Sequence, residues 1–197
     1  MLGKKLFKQN FIGPEQIKDC SLGFIFDDET PKIPYDLNKL NINFDDYILI
    51  LGSNKISMSK ENNIINLLSF HGYDGHTNSP GFYNQDWYLD EPFAKIALDF
   101  KWYLIKKTLH KESKGLIPEK SIYSKLPNAI LCVYTFFLFW CINKILLWED
   151  VYVWCSDLDQ SGDRVYVGKY SNEFNNNGFS IHRHLKIKNF HGIVDTF

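Results

Sequence analysis

The sequence predicts an α+β fold: a mostly antiparallel sheet packed on a buried apolar helix, with a second, amphipathic helix beside it. Three observations predict it. AILCVYTFFLFWCI, residues 129–142, is apolar nearly throughout. VYVWCS (151–156) and RVYVGKY (164–170) read as strands on either side of the polar stretch DLDQSGD. FSIHRHLKIK (179–188) alternates apolar and polar side chains with the period of a half-buried strand. A length of 197 residues suits one domain spanning 1–197.

Taken in order, residues 1–45 read as an irregular N-terminal extension, in which Pro14-Glu15 opens a short helix. SLGFIF (21–26) reads as a short strand followed by the acidic turn Asp27-Asp28-Glu29. YILILGSNKISMS (47–59) reads as strand, turn, strand, with Gly52-Ser53-Asn54 at the turn. Ser59 is expected to cap a short helix that runs to about Phe70. Residues 71–87, HGYDGHTNSPGFYNQDW, have no periodicity, and loops of that length are often functional.

The amphipathic helix is expected from an N-cap at Asp90 to a stop at Ser113-Lys114-Gly115. Phe93, Ile96, Ala97, Phe100, Tyr103 and Leu104 fall at helical spacing, with Lys95 and Asp99 paired on the other side. Pro127 then opens the apolar stretch. A membrane span needs about 20 apolar residues, and Asn143-Lys144 interrupts this one, so a core helix covered on most sides is expected instead.

Composition narrows the function classes. A net charge of −1 argues against a general nucleic-acid coat protein. Aromatics make up 16% of the chain, enough for some to line a pocket or partner surface as well as the core. Cys20, Cys132, Cys141 and Cys155 are widely spaced with no CxxC, which points away from a zinc ribbon and towards a reducing, cytoplasmic setting. MLGKKLFKQNF lacks the continuous apolar run of a signal peptide. Serine elbows, phosphate-binding glycine loops, dinucleotide fingerprints and HExxH are absent.

Three places hold chemistry. DLDQSGD matches the first half of an EF-hand loop at Asp157, Asp159, Ser161 and Gly162. The twelfth position is Gly168 and both flanks read as strand, so a hairpin turn is the better reading. In the last strand, His182 and His184 share a face at i,i+2, a spacing that lets two imidazoles meet one metal or phosphate, and Lys186 and Lys188 continue that face. Arg183 falls on the apolar face and requires a carboxylate, sought among Asp157, Asp159, Asp163, Asp99 and Glu149. The loop supplies His71, Asp74, His76 and Asp86, which with His182 and His184 would form a cluster able to hold a divalent metal or do acid–base work.

The expected function is a binding or interaction protein. Loop 71–88 and the basic, histidine-bearing last strand would hold a protein partner or an anionic ligand. Arg183, Arg164, Lys186, Tyr73, Tyr83 and Trp87 are the binding residues expected, with Phe82 and Tyr88 as further aromatic anchors. The alternative is a small metal-dependent hydrolase or nuclease-like enzyme on a phosphate-bearing substrate. There His71, His76, His182 and His184 would ligate metal or move protons, Asp157, Asp159 or Asp163 would hold a metal or orient a histidine, and Arg183 or Arg164 would steady charge on phosphate.

Overall fold

The computed structural model describes residues 2–20, 23–26, 29–73, 79–120, 125–169, 178–183 and 190–197. The first segment builds core. Helix α1 (Leu2–Phe7) leads to strand β1 (Phe11–Ile12), helix α2 (Pro14–Asp19) and helix α3 (Leu37–Asn43). Pro14 opens α2 as expected, and the Asp36 carboxylate caps α3 by accepting from the Lys39 amide at 2.8 Å. Phe7, Phe11, Ile12, Ile17 and Leu40 are buried in the main apolar cluster. Of SLGFIF, Ser21 and Leu22 lie outside the described residues, and Ile25 makes a single bridge to Lys55 in place of the expected strand.

Strand β2 (Tyr47–Leu51) is buried along its whole length. It does not fold back on the residues after Gly52. Instead β3 (Lys55–Ser57) pairs with β4 (Lys60–Glu61), so the expected hairpin over 47–59 splits between two sheets. Because β4 occupies Lys60 and Glu61, helix α4 (Ile64–His71) starts later than expected. Asn63, not Ser59, caps it by accepting from the Asn66 amide at 2.9 Å.

The largest correction concerns the amphipathic helix. Only α5 (Pro92–Lys95) is helical, capped at Glu91, and the chain is extended again at Ile96. Residues Trp102–Lys106 form strand β5, antiparallel to β2, while β1 pairs with β2 in parallel on its other edge. The physical reason is pairing. A fully buried β2 has backbone N–H and C=O groups that need partners on both edges, and WYLI, buried on both faces of the sheet, supplies one edge. The helical spacing of Phe100, Tyr103 and Leu104 is incidental to that. Lys95 and Asp99 do not pair: Asp99 meets Lys101 at 2.8 Å and Lys95 Nζ donates to the Asp90 carbonyl.

The expected core helix is present as α6 (Ala129–Asn143), with Asn128 as its cap and a left-handed Lys144 ending it. Every residue from Ala129 to Phe139 is buried. Tyr134 ties it to the first sheet by donating to the Leu51 carbonyl at 2.9 Å, and Phe136 and Phe137 pack on Phe179 and Phe82. Among the described residues no helix is long and apolar enough to cross a membrane. The second sheet follows, with β6 (Val151–Leu158), β7 (Arg164–Lys169), β8 (Ser180–His182) and β9 (His191–Gly192) in the order β8-β7-β6-β9. The β6–β7 hairpin is the one expected. Gly168 is required there, since a Cβ would sit 2.1 Å from the Val151 carbonyl oxygen. Of the expected strand 179–188, residues 184–188 lie outside the described residues.

Candidate functional site

The turn between β6 and β7 sends its aspartates to different tasks. The Asp159 carboxylate is buried and accepts from the Ser161 and Asp163 amides, both at 2.8 Å. Such a side chain bonding its own turn is what stabilises aspartate there. Its other oxygen meets Arg183 Nη1 at 2.6 Å. Asp157 turns the opposite way and accepts from the Ala129 amide at 2.5 Å, at the positive end of α6. Burial raises the Asp157 carboxyl above its ordinary value despite that amide. Burial also works against the charge on Asp159, but Arg183 and the two turn amides outweigh it and hold that carboxyl below the usual range.

Arg183 has a second carboxylate. The buried Glu91 lies 3.5 Å from Nη1 through one oxygen, and its other oxygen accepts from the Gln160 amide at 2.9 Å. The guanidinium also lies over the Trp87 ring, 4.5 Å from its centroid. Trp87 is held by its own N–H, which donates to the Ile181 carbonyl at 2.9 Å. Loop 71–88 and the last strand therefore do meet. Tyr83 N donates to the Phe179 carbonyl at 3.0 Å, Phe179 N donates to the Gly81 carbonyl at 2.8 Å, and the Gln85 amide reaches His182 Nδ1 at 3.1 Å.

The described histidines of the two segments are differently placed. His71 stacks on Phe137 with centroids 3.8 Å apart, and its Nε2 is buried with no acceptor or donor among the described residues. His182 lies against Tyr152 and Tyr166, at 5.5 and 5.7 Å. Burial lowers each to about 4, aided at His182 by the neighbouring His191, so both are neutral at pH 7. Among the described residues no three His, Cys, Asp or Glu side chains converge as metal ligands would. Asp74, His76, His184, Lys186 and Lys188 lie outside the described residues. Tyr73 is exposed at the loop's start, Tyr83 is half-buried, and Asp163 contributes its amide and carbonyl to the turn. Arg164 grips the Glu119 carboxylate at 2.8 and 2.5 Å and the Cys155 carbonyl at 3.1 Å.

Arg164 also stands at the edge of a cleft that the sequence did not announce. The cleft encloses about 760 Å³. Tyr35, Trp102, Tyr103 and Phe197 supply aromatic walls, Lys101, Lys125 and Arg164 supply cations, and Glu119, paired with Arg164, supplies a carboxylate. Trp102 is anchored by donating to the Pro31 carbonyl at 2.7 Å, and Tyr35 donates to the Trp102 and Phe197 carbonyls. Burial pushes the Tyr35 hydroxyl up to about 12, so it remains a donor. The Thr196 hydroxyl at the wall is buried with no partner among the described residues. The full lining, which also takes in Pro118, Glu119 and Ser156, comes from seven separated segments, and no local pattern joins them.

Compared with known protein families, curated proteins and solved structures, the chain matches none.

Proposed function

We propose that the protein is a binding module that holds an anionic, partly aromatic ligand in the cleft beside Arg164. The observation that carries this reading is convergence: aromatic faces and cationic rim groups enclose a volume in the range of small-molecule sites, roughly 300–1,000 Å³. Lys125 has no carboxylate partner among the described residues and lies over Phe197, 5.5 Å from the ring centroid. It is the cation best placed to meet a ligand. Hydrolysis at a histidine-bound metal draws no support from His71 and His182, which sit in separate aromatic surroundings.

The test is a titration with anilinonaphthalene sulfonate, an anionic aromatic probe. Saturable binding is expected in the wild type. A Lys101→Glu/Lys125→Glu variant should weaken it about tenfold, the effect of losing roughly one charge-assisted contact, while Ser156→Trp should block the cleft. Equal binding in all three proteins would remove the reading.

A second reading places a protein partner on loop 71–88. Phe70 and Tyr73 favour it, being 47% and 45% exposed where α4 runs into the loop. Arg183 and Trp87 would then frame that surface from within, not touch the partner. Loss of partner capture in a Phe70→Ser/Tyr73→Ser variant of unchanged stability is its test, and unchanged capture refutes it.

A further inference from the structure

We propose that a second pocket, between the segment after β5 and the turn into β6, is a site for a small phosphomonoester. It encloses about 410 Å³ and shares no lining residue with the cleft. Lys107, Lys111 and Lys114 line one side, and Leu109, Trp148 and Val151 form an apolar wall. Glu149 also lines it, with its carboxylate 3.5 Å from Lys169 Nζ.

Two observations point to an anion, and a third marks the place as strained. The first is charge. Lys111 and Lys114 have no acidic partner among the described residues, and Lys107 Nζ meets only the neutral Asn10 side chain, at 3.3 Å. With the pocket's one carboxylate, Glu149, already paired to Lys169, the three like charges repel one another, and a multiply charged oxyanion relieves that. The second is a donor without an acceptor. Trp148 is 4% exposed, and its indole N–H is buried with no partner among the described residues. Folding has removed its water without replacing the hydrogen bond, which a ligand oxygen would restore. The third is backbone. Trp148 and Asp150 both take left-handed conformations, with φ of 52° and 58°. That region is an outlier for a bulky side chain and persists only where the surroundings enforce it. Here Lys169 enforces it from both sides, its carbonyl accepting from Asp150 N at 2.7 Å and its amide donating to the Trp148 carbonyl at 3.3 Å.

The chemistry selects the ligand class. Lysine ammonium groups are compact point charges suited to a tetrahedral phosphate. The indole face, Leu109 and Val151 suit a small apolar or aromatic group esterified to it. The volume is at the small-molecule end of the range, roughly 300–1,000 Å³.

The test is calorimetric titration of the full chain with phenyl phosphate and with inorganic phosphate at fixed ionic strength. Saturable binding is expected for both in the wild type, tighter for phenyl phosphate. Lys111→Gln/Lys114→Gln should weaken phenyl phosphate by tenfold or more, the effect of removing about one charge-assisted bond. Trp148→Phe should weaken it while leaving the melting temperature of the free protein unchanged or higher. Lys60→Gln, on exposed β4 and outside both pockets, should leave it untouched. Should Trp148→Phe fail to fold, the two exposed lysines still decide the matter. Unaltered phenyl phosphate affinity in the lysine variant, no saturable binding in the wild type at millimolar ligand, or an equal loss through Lys60→Gln would each overturn the proposal.

Discussion

Two cationic centres of this protein are built on opposite plans. Around Arg183, one guanidinium meets two carboxylates, Asp159 at 2.6 Å and Glu91 at 3.5 Å, and an indole face. Around Trp148, three lysines gather with a buried indole N–H that has no acceptor among the described residues. In the first, every strong group is engaged within the fold, with two carboxylates facing one cation. In the second, donors outnumber acceptors. The lesson is that a cation identifies a ligand site only when its counter-charge is missing. A half-buried arginine supplied with two buried acids holds the loop 71–88, the β6–β7 turn and the last strand together.

The comparison breaks most directly at Arg183. Arg183→Ala should destabilise the protein by about 3 kcal/mol, because it takes the guanidinium away from the buried carboxylates of Asp159 and Glu91. Urea denaturation measures this, and a loss below about 0.5 kcal/mol, as for an ordinary surface change, would return Arg183 to the list of ligand-binding groups. The partial exposure of the guanidinium keeps the expected value at the low end of that class.

The histidine next to it provides a second effect. His71 and His182 are lowered by burial to about 4 from 6.5. The unfolded chain therefore binds more protons between those values, and stability falls as pH drops from about 6.5 to about 4, by at most about 3 kcal/mol per imidazole. A melting series in His182→Gln should show a flatter decline over that window. An identical slope would mean that His182 is not desolvated.

A smaller, sharper effect comes from Asp159. Its folded value is depressed, so its contribution is present above the ordinary carboxylate value and is lost as pH falls through the depressed one. The cost of Arg183→Ala should shrink over the same acidic range, since a neutral carboxyl needs no counter-ion. A cost independent of pH would show that Glu91 or packing on Trp87 dominates the pair.

The smallest effect is expected at the other centre. Lys111→Gln/Lys114→Gln should change stability by less than about 0.5 kcal/mol in the absence of ligand. A larger loss would mean that these lysines hold the fold, and the contrast between the two centres would disappear.

Much of the first centre could be read in the sequence and almost none of the second. Arg183 announced itself by falling on an apolar face, and DLDQSGD offered it nearby acids, so Asp159 stood among its expected partners. Glu91 did not, because it comes from the start of a helix far along the chain and carries no local sign of burial. Lys107, Lys111, Lys114 and Trp148 look ordinary in sequence. Only the strain at Trp148 and the closeness of the two segments mark them, and neither has a local signature.

By itself the sequence determined the α+β class, the core helix and the β6–β7 hairpin. Each of these has its signal within a single window of chain: a continuous apolar run capped by Asn128, and two strand-like runs across a seven-residue turn. Tertiary structure alone decided that Trp102–Lys106 is a strand and that residues 47–59 divide between two sheets. It also decided which cations are paired. Periodicity records which side of an element is buried, whereas pairing depends on what lies across the gap. The edge of β2, the acid beside Arg183 and the open space beside Trp148 are all set by residues far away in the chain.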